Sequence, residues 1–143
     1  FEIFKFAYWP SVKAKRINIT EFSTTGTWKN VLESDNIGGV VKYTESNGAT
    51  AYTNIKASKF WVYGTRTGWH NSATVLFGNH QSQINVRLSD DKAREDLVLL
   101  HESPDLPLNN GEFKFTSAGV FMLAFIILKK KHLFQKHYLF QFQ

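Results

Sequence analysis

The side chains best suited to chemistry gather in the stretch Arg66-Thr67-Gly68-Trp69-His70-Asn71. A flat indole stacks on the apolar face of a pyranose, while fixed polar groups meet its hydroxyls. Trp69, with His70 and Arg66 beside it, supplies both types in one polar loop, and plugging the end of a sandwich is the other use for such a Trp. Trp28 is a second, weaker candidate, because a Trp on an early strand more often packs into a core.

Catalysis has less to build on. His101, Glu102 and Ser103 adjoin, but successive residues of a strand point to opposite faces, so adjacency alone makes no triad. Asp90, Asp91, Glu95 and Asp96 are accounted for by a solvated loop as well as by a hydrolytic carboxylate pair. No catalytic residue is assigned. The absence of cysteine removes thiolate catalysis, disulfides and Cys-based zinc sites. His70, His80, His101, His132 and His137 share no ligand spacing on one element, so no transition metal is expected, whereas loop oxygens leave room for a structural calcium ion. No other cofactor is expected.

A formal net charge of +5 raises the question of nucleic acid, yet Lys129, Lys130, Lys131 and Lys136 carry four of those charges in the last fifteen residues. The body is nearly neutral, and no nucleic-acid partner is expected. The first residues show no initiating Met, basic leader or cleavage site, so they are not a signal peptide and the chain reads as a fragment. The apolar run Ala118 to Leu128 is far short of a membrane-spanning helix. Asn18-Ile19-Thr20 is a glycosylation sequon that suits a secreted module.

The elements that would hold the loop are short strands. Phe60 to Tyr63 concentrates aromatic and β-branched residues ahead of Gly64, which predicts a central buried strand stopped by a turn. Its alternation sends Phe60 and Val62 to one face and Trp61 and Tyr63 to the other. Before it come Ile17 to Phe22, Val40 to Thr44 and Ala49 to Lys56, the last two joined through Asn47-Gly48 as a hairpin. After it come Ala73 to Phe77 and Gln83 to Leu88 around Gly78-Asn79, a charged stretch Asp90 to Asp96 with room for a helical turn, then Leu97 to His101 and Glu112 to Phe115. Val120 to Leu128 fits a helix or a strand by periodicity, and its surroundings favour a strand. Strands with turns every eight to twelve residues and no amphipathic helix predict an all-β antiparallel sandwich or barrel.

Phe1 to Trp9 matches Val120 to Leu128 in length and apolar texture. Either the likeness is chance, or residues 1–16 are the closing strand of a preceding repeat followed by the linker Ser11 to Arg16, with residues 17–128 forming one module. Residues 129–143 form a basic, aromatic tail, expected to be unstructured or to lie on a membrane surface.

The order of Thr25-Gly26-Thr27-Trp28, Asn47 to Ala51, Lys59 to Thr65, Leu100 to Leu106 and Leu108 to Phe115 resembles successive strands of galactose-binding-like jelly-roll modules. The resemblance implies a jelly-roll β-sandwich of the carbohydrate-binding kind, often found as repeats of cell-surface proteins. It departs from the pattern at Gly78-Asn79, where such modules often have Asp-Gly, and at Glu112-Phe113-Lys114, where they often carry His-Thr. The resulting expectation is a non-catalytic recognition or adhesion module, extracellular or on the cell surface. Carbohydrate, glycoprotein and neighbouring repeats would be its partners, and a structural spacer or a hydrolase the alternatives.

Overall fold

The computed structural model describes residues 13–32 and 40–130. Among these residues eleven strands run in chain order: β1 Lys13–Asn18, β2 Ser23–Thr25, β3 Lys29–Leu32, β4 Val40–Thr44, β5 Asn47–Ala57, β6 Lys59–Thr67, β7 Ala73–Phe77, β8 His80–Ile84, β9 Arg94–Glu102, β10 Asn109–Ala118 and β11 Phe121–Lys130. They form two antiparallel sheets. One has the order β3-β4-β11-β6-β9, with β1 also on β11, and the other has the order β2-β5-β10-β7-β8. The all-β jelly-roll sandwich expected from the sequence is the observed fold. Among the described residues no helix is long and apolar enough to cross a membrane.

Two aromatic strands explain why the sheets close on each other. β6 turns Phe60 and Val62 into the space between the sheets, where Phe60 lies edge-on to Phe113 at 4.8 Å and to Phe77 at 6.2 Å. Its other face carries Trp61 and Tyr63 into a second apolar cluster, with Tyr63 stacked on Phe125 at 4.9 Å. β11 does the same, except that a register shift between Leu123 and Phe125 rephases its alternation, so Phe121 and Leu123, then Ile126 and Leu128, face the inter-sheet core. With apolar residues on both faces, this strand reads as an unbroken hydrophobic run.

Several local expectations change. Gly64 does not stop β6, which continues to Thr67. Its missing side chain serves close approach instead, since a Cβ there would lie 2.6 Å from the Met122 carbonyl oxygen and 2.8 Å from Leu100 Cδ1. Lys13 to Arg16, expected as linker, belongs to β1 and pairs with Lys130 to Ile127, so the folded unit begins before residue 17 and extends past 128. Ile17 to Phe22 is not one strand, because a 3-10 turn over Ile19–Glu21 interrupts it after Asn18. β8 covers His80–Ile84 rather than Gln83 to Leu88. Arg94 to Asp96 lies in β9, not in a helical turn. The proposed repeat strand Phe1 to Trp9, the loop from Glu33 to Gly39 and the tail from Lys131 onward lie outside the described residues.

Candidate functional site

Trp69 stands at one end of the sandwich, on the loop that follows β6. Thr67, wholly buried, begins the loop, and its hydroxyl oxygen accepts the N–H of Trp69 at 3.1 Å and of His70 at 2.8 Å. Gly68 donates to the Ala93 carbonyl at 3.1 Å, and Asn71 donates to the Val120 carbonyl at 2.7 Å. Every backbone N–H from Gly68 to Asn71 is therefore satisfied. Gly68 is required by contact: a Cβ would fall 2.1 Å from the Asp90 carbonyl oxygen, so only glycine lets the Asp90–Asp91 turn pack against the loop. On this fixed frame the Trp69 side chain is 46% exposed, and with Leu76 it is one of two large exposed hydrophobic residues among those described.

Trp28 flanks the same end. Its ring meets Phe121, the first residue of β11, edge-on at 6.4 Å, and its indole N–H donates to the Thr25 carbonyl at 3.0 Å. The ring is half-buried and packs against the inter-sheet core. The loops bearing Trp28 and Trp69 both reach the start of β11, the first through the Trp28 ring on Phe121 and the second through the Asn71 N–H on the Val120 carbonyl.

His70 and Arg66 do not join them as surface groups. His70 is 1% exposed, its ring edge-on to Trp69 at 5.9 Å and tilted against Tyr43 at 6.4 Å. Burial pushes its pKa down, with Arg94 acting the same way against the Thr65 carbonyl and Asp96, so the ring is held neutral. It props the indole rather than facing a ligand. Arg66 spends its guanidinium on the carbonyls of Asn85 at 3.3 Å and Leu99 at 3.2 Å, clamping β9 to the segment after β8. Both residues are supports: Arg66 lies near the end of β6 with its guanidinium on backbone carbonyls, and His70 is buried behind the indole, its Nδ1 without a hydrogen-bond partner among the described residues.

Two further residues belong to this end. Tyr43 is half-buried, and its pKa is raised by burial, by the Glu45 carboxylate and by its hydrogen bond to that carboxylate. Glu45 is exposed, and its carboxylate accepts the Tyr43 hydroxyl. No sequence signal singled them out, since Tyr43 reads as an ordinary strand residue and Glu45 as turn chemistry.

Of the residues weighed for catalysis, Ser103, Glu102, Asp96 and Asp90 make structural bonds, while Asp91 and Glu95 are exposed. Ser103 accepts the Phe60 N–H at 3.0 Å and donates to the Pro104 carbonyl, while Glu102 pairs with Lys59 at 3.1 Å. Asp96 accepts from Thr65 and Arg94, and Asp90 caps the Lys92 N–H. Asn18 of the sequon forms a capping box with Glu21 and accepts from Arg16 at 2.8 Å, which gives the triplet a structural use. Among the described residues no group of three or more His, Cys, Asp or Glu is placed to hold a metal.

No family model matches the sequence, and no curated protein matches it. Solved structures do. A family two carbohydrate esterase of Cellvibrio japonicus matches 84% of the chain with a TM-score of 0.56 at 14% identity. A two-domain esterase active on acetylated mannans matches 84% with a TM-score of 0.60 at 9% identity. CsCBM6-3 of Clostridium stercorarium, solved in complex with cellobiose, matches 82% with a TM-score of 0.53 at 13% identity. The chain spans 34% and 37% of the two esterases but 94% of CsCBM6-3. At these identities the likeness defines the fold, which is the jelly-roll sandwich of carbohydrate-binding modules. The chain spans nearly all of CsCBM6-3 and about a third of each esterase.

Proposed function

We propose that this chain is a non-catalytic carbohydrate-binding module whose sugar rests on Trp69 at the loop end of the sandwich. The observation that carries the reading is an indole 46% exposed on a loop whose consecutive backbone donors are all bonded. Exposing that much apolar ring has a cost, and fixing it in place lowers the entropy lost on binding a flat partner. A pyranose face fits the ring, the Glu45 carboxylate offers an acceptor for sugar hydroxyls, and the loop bearing Trp28 reaches the start of β11 as the Trp69 loop does. CsCBM6-3, which the chain matches over nearly its whole length, was solved with cellobiose. The engagement of Ser103, Glu102 and Asp96 in structural bonds supports recognition over hydrolysis. Polysaccharides and glycoproteins of the extracellular space are the partners in this reading, with adhesion at a cell surface as its biological form.

Affinity electrophoresis and calorimetry against soluble glucans, mannans, cellobiose and mannopentaose test it. Binding that disappears in Trp69→Ala, with the thermal midpoint unchanged, is the expected result. Retention of binding in that variant would overturn the site. No binding to any glycan tested would leave the structural spacer as the better reading.

A further inference from the structure

We propose that His80 and His101 form a two-histidine site for a divalent ion of the copper, nickel and zinc group at the open side of the sandwich, away from the Trp69 loop. His80 opens β8, the edge of the five-stranded sheet, and His101 lies in β9, the edge of the six-stranded sheet. Closing the sandwich brings their Nε2 atoms to 3.3 Å. Both rings are half-buried and rest on wholly buried Phe60, at 5.5 Å for His80 and 5.8 Å for His101, so the pair is held in place before any ligand arrives.

The spacing matches a chelate. Two imidazole nitrogens bound at about 2.0–2.1 Å to a tetrahedral ion stand about 3.3–3.4 Å apart. The rings are tilted by 30° with centroids 5.6 Å apart, so their Nε2 atoms converge. Without metal, one Nε2–H donates to the other nitrogen; on binding, that ring carries its proton on Nδ1 instead, so both Nε2 lone pairs turn to an ion beside the line joining them. No third His, Cys, Asp or Glu joins the pair among the described residues, and Glu102 is paired with Lys59, so the remaining positions are left to water. His80 also borders a cavity of about 370 Å³ with Asn79 and Asn109, which gives solvent access to that side. Imidazole donors suit copper, nickel and zinc ahead of calcium or magnesium, with Cu²⁺ held tightest. The five histidines looked unrelated in sequence because the two that meet are 21 positions apart on strands of different sheets.

The test is thermal unfolding of the whole chain with chloride salts of Cu²⁺, Ni²⁺, Zn²⁺, Ca²⁺ or Mg²⁺, together with the electron paramagnetic resonance spectrum of bound Cu²⁺. An ion that binds only the folded chain and ties two sheet edges raises the midpoint. The expected result is a rise for Cu²⁺, Ni²⁺ and Zn²⁺ but not for Ca²⁺ or Mg²⁺, with two imidazole nitrogens on copper. His80→Gln and His101→Gln should each abolish the rise and leave one nitrogen, while a His132→Ala, His137→Ala double variant keeps both signals. His80 is the milder site, so its variant decides if His101→Gln fails to fold. No rise in the unaltered chain, a rise that survives His80→Gln, or a rise lost with the tail histidines would overturn the proposal. Each outcome is independent of glycan binding.

Discussion

Asn71 and Val120 are bonded to each other twice: the Asn71 N–H donates to the Val120 carbonyl at 2.7 Å, and the Val120 N–H donates to the Asn71 side-chain oxygen at 2.9 Å. This reciprocal pair locks the loop bearing Trp69 to the turn between β10 and β11. Asn71→Ala removes one of the two bonds. The expected loss of stability is about 1 kcal/mol, and glycan affinity should fall with it because the indole loses its fixed bearing. A thermal melt and a titration of the same variant check both effects.

Gly64 tests the close packing of β6 against β11. In Gly64→Ala the new methyl meets the Met122 carbonyl oxygen and the Leu123 Cα, neither of which can rotate away. Destabilisation of about 1–3 kcal/mol is expected, measured by denaturant unfolding, with glycan affinity unchanged in the fraction that remains folded. An unaffected midpoint would contradict the register at this strand crossing.

His70 gives the pH dependence a sign. Its pKa is lowered in the folded chain by burial, so the unfolded chain takes up a proton at higher pH than the folded one does. Stability is therefore fully present above the ordinary histidine range. It declines as the pH falls from about 6.5 toward the lowered folded value. His101 is shifted in the same direction, first by burial and then by His80, and adds to the slope. His70→Phe should flatten part of the decline, as read from thermal midpoints between pH 7 and pH 5. An unchanged slope would mean that the ring is not held neutral.

Much of the architecture was legible because strand alternation and turn chemistry act locally. The split of Phe60 and Val62 from Trp61 and Tyr63 follows from period-two burial, and the strand at Val120 to Leu128 follows from its strand-rich surroundings. The hairpin expected at Asn47-Gly48 does not form: β4 and β5 belong to different sheets, so the chain crosses the sandwich there, and Asn47 and Gly48 open β5, which pairs with β10 and β2. Gly64 misled because glycine marks both turns and close backbone approach, and only the neighbouring strand distinguishes them. Lys13 to Arg16 read as linker because its polar side chains hide a role that lies in backbone pairing with β11. At the site, Trp69 was visible as a lone aromatic in a polar loop. The burial of His70 and the commitment of Arg66 to two carbonyls were not, since both depend on which distant strands the loop must close against.

Trp69 itself decides the account. Trp69→Ala removes an exposed ring whose backbone is pinned independently of its side chain, so folding should be preserved. Calorimetric titration of the unaltered chain and the variant, with the best glucan or mannan ligand from the panel, is the most direct measurement. A loss of about 2 kcal/mol, roughly thirtyfold in affinity, is the expected result for a central aromatic anchor, with thermal midpoints equal. Equal affinities for the two proteins would contradict the placement of the sugar on this ring.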